Sequence, residues 1–370
     1  MTTCFIEPVD VLYLRGNKLF GDPGSYGESQ IPPWPSVAAG AIRSMLLARD
    51  GGDFDGFVRG ENPHPALGTA EKPGRFRITD FGLARRVNGK VERIVSLPAD
   101  LVLSESPEGK SLSRIRPQAP HPAVRSSFPL EKLPVLAQRK RGKPLTGYWL
   151  NEAGWRRYLA GETPVVEDLL ASVDLWVSDE RVGVGLDPAS RRADDGKLFT
   201  AQGVAFRNGV GFRVEVEGVE LPGRGMLRFG GDGRGASFQR AEDRPVTIEL
   251  EALCQAGRGR IVLTSPGLFE HGWRLPGMAE DGRFELAGVK GRVVAAAVSR
   301  AEVVSGWDLA RWRPKPARRA APTGSVYWLE DLQATPETLR KLADHGLWPE
   351  RGYDAQRRVE GFNRFVWGIW

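Results

Sequence analysis

The dipeptide Asn88-Gly89 stands between two strand-like runs, "RFRITDFGLARRV" and "KVERIVSLP". Asn-Gly is the pair that most readily takes the positive φ angles of a two-residue hairpin turn, so the two runs are expected to be antiparallel neighbours. The signal recurs at Asn208-Gly209, which leads into "VGFRVEVEGV", where Val210, Phe212, Val214 and Val216 share one face. Further strands are expected in "CFIEPVDVLYL", "PVTIELEAL", "GRIVLTSPG", "RVVAAAVSRAEVVSGW" and "GSVYWLE". Helical spacing is confined to fewer places. One helix is expected over 37–48, with Ser36 as its cap and Gly51 and Gly52 as its stop. Another is "TPETLRKLADHG", with Thr335 as cap, Pro336 in the first turn and Gly346 after the end, and a short one is expected around "GWRRYLAG". This order predicts an α+β chain built on antiparallel sheets, not a doubly wound parallel one.

At 370 residues the chain exceeds what one core usually supports, so two domains are expected, 1–205 and 206–370. Residues 104 to 145 are rich in Pro, Ser and Arg without periodicity and predict a surface insertion. No apolar run of membrane-spanning length occurs, and the first residues carry acids where a signal peptide is basic, which predicts a cytoplasmic protein. Cys4 and Cys254 stand far apart with no CxxC, so neither a disulfide nor a metal site is indicated, and no cofactor is expected.

The net charge of +6 is unevenly placed, with arginines gathered in Gly- and Pro-containing segments: "SRIRPQAPHPAVR", "QRKRGKP", "ASRRADDGK", "LPGRGMLRFGGDGRG" and "RPKPARR", the last ending in Arg318 and Arg319. Each alone is most simply a solvated loop; together they favour a polyanionic partner. Catalytic patterns are sparse. "ITDFGLAR", residues 78 to 85, matches the metal-binding segment of protein kinases, but the kinase's other motifs do not precede it and the segment runs into a hairpin, so Asp80 is read as a strand or turn residue. The four histidines, His64, His121, His271 and His345, are scattered. The strongest enzymatic alternative is metal-free RNA cleavage with His121 as general base.

The stretch "DERVGVGLDP", 179 to 188, poses a sharper question. Val182, Val184 and Leu186 occupy one face of a strand, while Arg181, Gly183 and Gly185 leave the other nearly bare. Such a face admits a sugar-phosphate backbone beside a guanidinium, or lets another sheet pack closely. Pairing with "LFTAQGVAF" makes 179–204 a hairpin with Arg191 and Arg192 at its tip. Glycines in "EGFNRFVWGIW" could likewise form a phosphate-binding nest.

Several blocks, in order along most of the chain, resemble the RAMP superfamily of CRISPR proteins, in particular the type III-B (Cmr) effector subunit that binds the crRNA 5′ handle. They are "EPVDVLYLRGNKLFG", "PPWPSVAAGAIRSML", "DERVGVGLDPASRRADDGKLFTAQ", "LTSPGLFEHGW", "SGWDLARWRPKPARRAAPTGSVYWLE" and "EGFNRFVWG". The resemblance implies two ferredoxin-like (RRM-related) domains, a wedge hairpin at 179–204, and a glycine-rich loop at 361–368 in which Asn363 replaces a common glycine. It implies an RNA contact set of Arg15, Ser36, Arg43, Arg181, Gly183, Gly185, Arg191, Arg192, Arg318, Arg319, Gly361, Asn363 and Arg364. The implied partners are the crRNA 5′ handle, the large polymerase-like subunit and the backbone RAMP subunits, with no membrane. It implies no catalysis; a protein-binding scaffold and a RAMP-type endoribonuclease processing precursor crRNA remain alternatives.

Overall fold

A computed structural model describes residues 1–16, 26–138, 142–187, 189–242, 246, 248–308 and 310–370. The end of the block "EPVDVLYLRGNKLFG" and the centre of "QRKRGKP" lie outside them. Antiparallel sheets dominate, as the turn signals require. The chain divides into two compact units, each assembled from three stretches: 1–91, 172–242 and 303–318 in the first, 92–171, 243–302 and 319–370 in the second. The expected boundary at 205/206 therefore falls inside the first unit.

In the first unit, an antiparallel sheet runs in the order Arg77–Val87, Val210–Glu217, Thr2–Pro8, Gly235–Arg240, Arg224–Arg228. Val210, Phe212, Val214 and Val216 are all buried on one face, as their alternation predicts. Cys4, Ile6 and Phe238 join them there, and Ile42 and Met45 of the helix Pro35–Arg49 pack against this face. The opposite face holds Phe5, Ala84 and Val91, and an ion network in which Arg213 donates to Asp80 and, at 3.0 Å, to Glu215. Asp80, the apparent kinase aspartate, is thus a cross-strand structural partner.

Two local expectations fail in ways that physics explains. The helix starts at Pro35, with Trp34 at the N-cap and no side-chain cap bond, so Ser36 lies inside the first turn and does not cap it. Proline at that position presets the helical φ and has no N–H to satisfy, so the helix starts without a hydroxyl cap. In "PVTIELEAL" the residues Leu250–Ala256 form a helix, closed by Gly257 at φ 60°; the Leu, Glu and Ala of its second half override the β-branched start.

The second unit is a sheet in the order Arg283–Leu286, Val289–Ala297, Val326–Gln333, Gly259–Leu263, Phe365–Gly368. Both faces are covered. Ile261, Leu263, Tyr327, Leu329, Phe365 and Trp367 meet the helix Pro336–His345 through Leu339 and Leu342, whereas Val262, Val326 and Trp328 meet Trp155 and Tyr158 of the helix Glu152–Leu159. That double burial is why these strands read as nearly continuous apolar runs. Thr335 caps its helix as expected, accepting from the Thr338 N–H at 3.2 Å. Buried Arg260 donates to Asp100 at 3.0 Å and to the Tyr158 carbonyl at 2.7 Å, and the Tyr158 hydroxyl donates to Asp100 at 2.6 Å.

The 104–145 stretch is more than a surface insertion. It carries the second strand, and the end of the first, of the hairpin Leu101–Ser106 with Gly109–Arg114, and Leu130 is buried in the second unit's core. Phe128 stacks on Trp273 at 6.2 Å, and Lys132 pairs with Glu330 at 2.6 Å. Its strands are too short to show a period in sequence.

Candidate nucleic-acid interface

The hairpin signalled by the sequence is built from Trp176–Leu186 and Ala193–Phe206, paired antiparallel from Trp176↔Phe206 to Gly183↔Phe199 and Val184↔Leu198. A register shift between Val184 and Leu186 precedes the tip. There, Asp187 Oδ1 accepts from the N–H groups of Ala189 and Ser190 at 3.0 and 2.6 Å, and the Arg191 N–H donates to the Asp187 carbonyl at 2.8 Å. These bonds hold the Asp187 carboxyl below its ordinary range, the Ser190 amide contributing most. They also fix Arg191 at φ 54°, with Arg191 and Arg192 exposed.

The face carrying Gly183 and Gly185 is not bare. A Cβ at Gly183 would come within 2.4 Å of the Phe199 ring, and one at Gly185 within 2.8 Å of the Lys197 side chain. The glycines make room for the side chains opposite. The resulting face is Arg181, Phe199 and Lys197, a basic and aromatic strip of the type that grips single strands. Residue 199 is the partner of 183 only beyond the register shift; counting from the Leu186↔Ala193 pair at the tip sets a different residue against 183, so no local sequence signal pointed to Phe199 and Lys197. Arg181 is ion-paired to Asp179 at 2.6 Å with its side chain 49% exposed. The hydrogen bond to that carboxylate raises the guanidinium pKa further, so its charge persists at any working pH. The opposite face holds Val182, Val184, Leu186 and Leu198, all exposed.

The other expected contacts lie elsewhere. Arg15 pairs with Asp232 at 3.5 Å, at the glycine-rich turn where Gly230, Asp232 and Gly233 all have positive φ. Arg43 places its guanidinium over the Phe76 ring at 5.5 Å, and Ser36 is partly buried in its helix. Arg318 is partly buried and Arg319 exposed on the strand Arg318–Ala320.

The segment 361–368 is not an open nest. Gly361 and Asn363 are buried; the Asn363 side chain accepts from the Leu268 N–H at 2.6 Å and donates to the Leu347 carbonyl at 2.8 Å. Arg364 donates to the Asp344 carbonyl at 2.8 Å, beside the end of a helix, and Phe365–Gly368 is a strand of the sheet. Asn363 sits at φ 59°, a left-handed conformation that asparagine tolerates where a glycine is common.

The histidines remain apart: His64 bonds Asp50 at 2.9 Å, His345 lies beside the Gly346 carbonyl, and exposed His121 accepts from the Ala123 N–H at 3.2 Å. Burial holds the His345 pKa below its ordinary value. Among the described residues no cluster of His, Cys, Asp and Glu has the makings of a metal site, and no helix is long and apolar enough to cross a membrane.

No curated protein sequence matches this chain. Among solved structures, a chain of the type III-B Cmr-beta complex bound to cognate target RNA and AMPPnP is similar over 98% of this chain and 93% of its own, with 14% identity and a TM-score of 0.49. A chain from Cmr-beta bound to cognate target RNA is similar over 98% and 96%, with 14% identity and a TM-score of 0.48. The hairpin, the second unit's sheet and all but the first two residues of the first unit's sheet fall within residues 4–370, which match the family model for CRISPR-associated protein (Cas_Cmr3), and the chain belongs to that family.

Proposed function

We propose that this protein is the non-catalytic subunit of a type III-B CRISPR effector that holds the 5′ handle of the crRNA, in antiviral defence in the cytoplasm. In this reading its two units are ferredoxin-like, and it docks the large polymerase-like subunit and the neighbouring backbone RAMP subunits. The observation that carries it is the exposed hairpin: Arg181, Phe199 and Lys197 along one face and Arg191 and Arg192 at the tip combine charge for phosphates with a ring for a base. Family membership supplies the setting.

A second reading has its own support. Val182, with 70% exposure, and Leu198, with 58%, make the hairpin's other face apolar, which suits a protein neighbour. The two readings are compatible, since they use opposite faces.

The test is titration of the purified chain with handle-containing crRNA at several salt concentrations, beside incubation with repeat RNA. Nanomolar binding that weakens steeply with salt, with the repeat RNA intact, is expected. Cleavage that disappears in His121→Ala would establish the endoribonuclease alternative. Binding to the large subunit without any affinity for RNA would leave the scaffold alone.

A further inference from the structure

The stretch 303–318 in the first unit carries two tryptophans outside any core. Trp307 is 49% exposed and Trp312 75%, whereas Trp155 and Trp328 are 1% exposed. The two indoles meet edge to face, with centroids 6.1 Å apart and planes at 86°. They are presented by a small ladder in which Trp307 faces Pro314 and Asp308 faces Arg313. Trp312 itself has φ 50°, a left-handed conformation that is an outlier for so bulky a residue. Arg311 fixes the loop, bonding Asp308 at 3.2 Å and Glu71 at 2.9 Å.

Asp308 and Glu71 engage Arg311, and beyond Asp308 the sequence is basic. From 310 to 319 the chain reads "ARWRPKPARR", with Arg311, Arg313, Lys315, Arg318 and Arg319 and no acid. A broad π surface kept in water, with cations on both sides of it in sequence, matches what a single-stranded polyanion with stackable bases requires. An acidic protein partner would use the cations but has no need of two stacked-out indoles.

We propose that Trp312, backed by Trp307, is a stacking platform for one unpaired base of bound RNA, with Arg313 against the adjoining phosphate. This rests on the RNA-binding reading above and adds a second contact, independent of the hairpin.

The full-length chain is irradiated with crRNAs carrying one 5-iodouridine at successive positions, and adducts are mapped by mass spectrometry. One position is expected to cross-link to Trp312 or Trp307. Trp312→Ala and Trp312→Gly should each lower affinity for unmodified crRNA about 5- to 150-fold, with the slope of log K against log salt unchanged, because stacking releases no counterions. Trp312→Phe should stay within about 3-fold of wild type, since a smaller ring still stacks. Glycine tolerates the left-handed turn, so Trp312→Gly separates loss of the indole from loss of the loop's shape. Unchanged RNA affinity in both truncations would overturn the platform while leaving the hairpin reading intact; loss of binding to an effector subunit with RNA affinity retained would show a protein-docking site instead. Wild-type protein that binds no crRNA would overturn both.

Discussion

Phe199 lies across the hairpin ladder from Gly183, its ring in the place that a side chain at 183 would occupy. A glycine opposite an aromatic in an antiparallel pair lets the ring fold over the backbone, shielding it and fixing the ring's position. Gly183 therefore contributes through Phe199, and Arg181 and Lys197 flank a ring.

Removing that ring should weaken RNA binding without unfolding the chain. Phe199→Ala is expected to cost about 1–3 kcal/mol in crRNA affinity, the usual worth of one base stacked on an aromatic. Gly183→Ala displaces the ring without deleting it and should cost less, up to about tenfold. Fluorescence anisotropy with labelled crRNA measures both. Thermal midpoints should stay within a few degrees of wild type, because the outer hairpin is exposed; equal affinities for all three proteins would remove Phe199 from the interface.

Arg181 is expected to act through charge. Arg181→Ala should weaken binding and reduce the magnitude of the salt slope by about 1, the signature of one lost phosphate contact. Asp179 shares that guanidinium at 2.6 Å. Asp179→Asn, which withdraws the competing carboxylate, should move affinity the opposite way. A salt slope untouched by Arg181→Ala would place this arginine against protein.

Local rules recovered much of this fold, and the failures have a common cause. The alternation of Val210 to Val216, the Asn88-Gly89 hairpin turn and the Thr335 cap depend on neighbours within a few residues and stand as read, whereas at Asn208-Gly209 only the glycine takes a positive φ and the strands on either side pair elsewhere. What sequence could not supply is what lies opposite. The ring over Gly183 comes from a residue 16 positions on, across a tip whose register shift hides the pairing. Asn363 looks like a loop residue until Leu268 and Leu347 are brought to its amide. Leu130 lies in a Pro- and Ser-rich stretch with no period, and only tertiary packing makes it core. The stretches 172–242 and 303–318 join the first unit by contacts that no local signal encodes.

Glu302 should give the protein a distinctive pH dependence. Its Oε1 is buried without a hydrogen-bond partner, and burial pushes its pKa from 4.5 up to about 7. The folded state thus holds this proton more tightly than the unfolded chain. Its contribution is full below pH 4.5, declines by about 1.4 kcal/mol per pH unit, and is lost as pH rises through 7. Glu302→Gln keeps the shape and removes the titration, so its melting temperature should exceed wild type's at pH 8 and match it near pH 4.5. Parallel pH profiles for the two proteins would refute this.

Asn363 should matter for stability and hardly for RNA. Its buried amide satisfies the Leu268 N–H and the Leu347 carbonyl, and its own backbone N–H donates to the Pro266 carbonyl at 3.1 Å. Asn363→Ala strands two buried polar groups and places alanine at φ 59°, for an expected loss of about 2–4 kcal/mol. Asn363→Gly relieves the backbone but not the two orphaned groups, so it should fall between alanine and wild type. Chemical denaturation orders the three proteins, and crRNA titration of each well below its melting temperature should give the same affinity. A variant that folds as stably as wild type yet binds RNA poorly would mean that this turn faces the nucleic acid after all, reached only by opening the contacts that now close it.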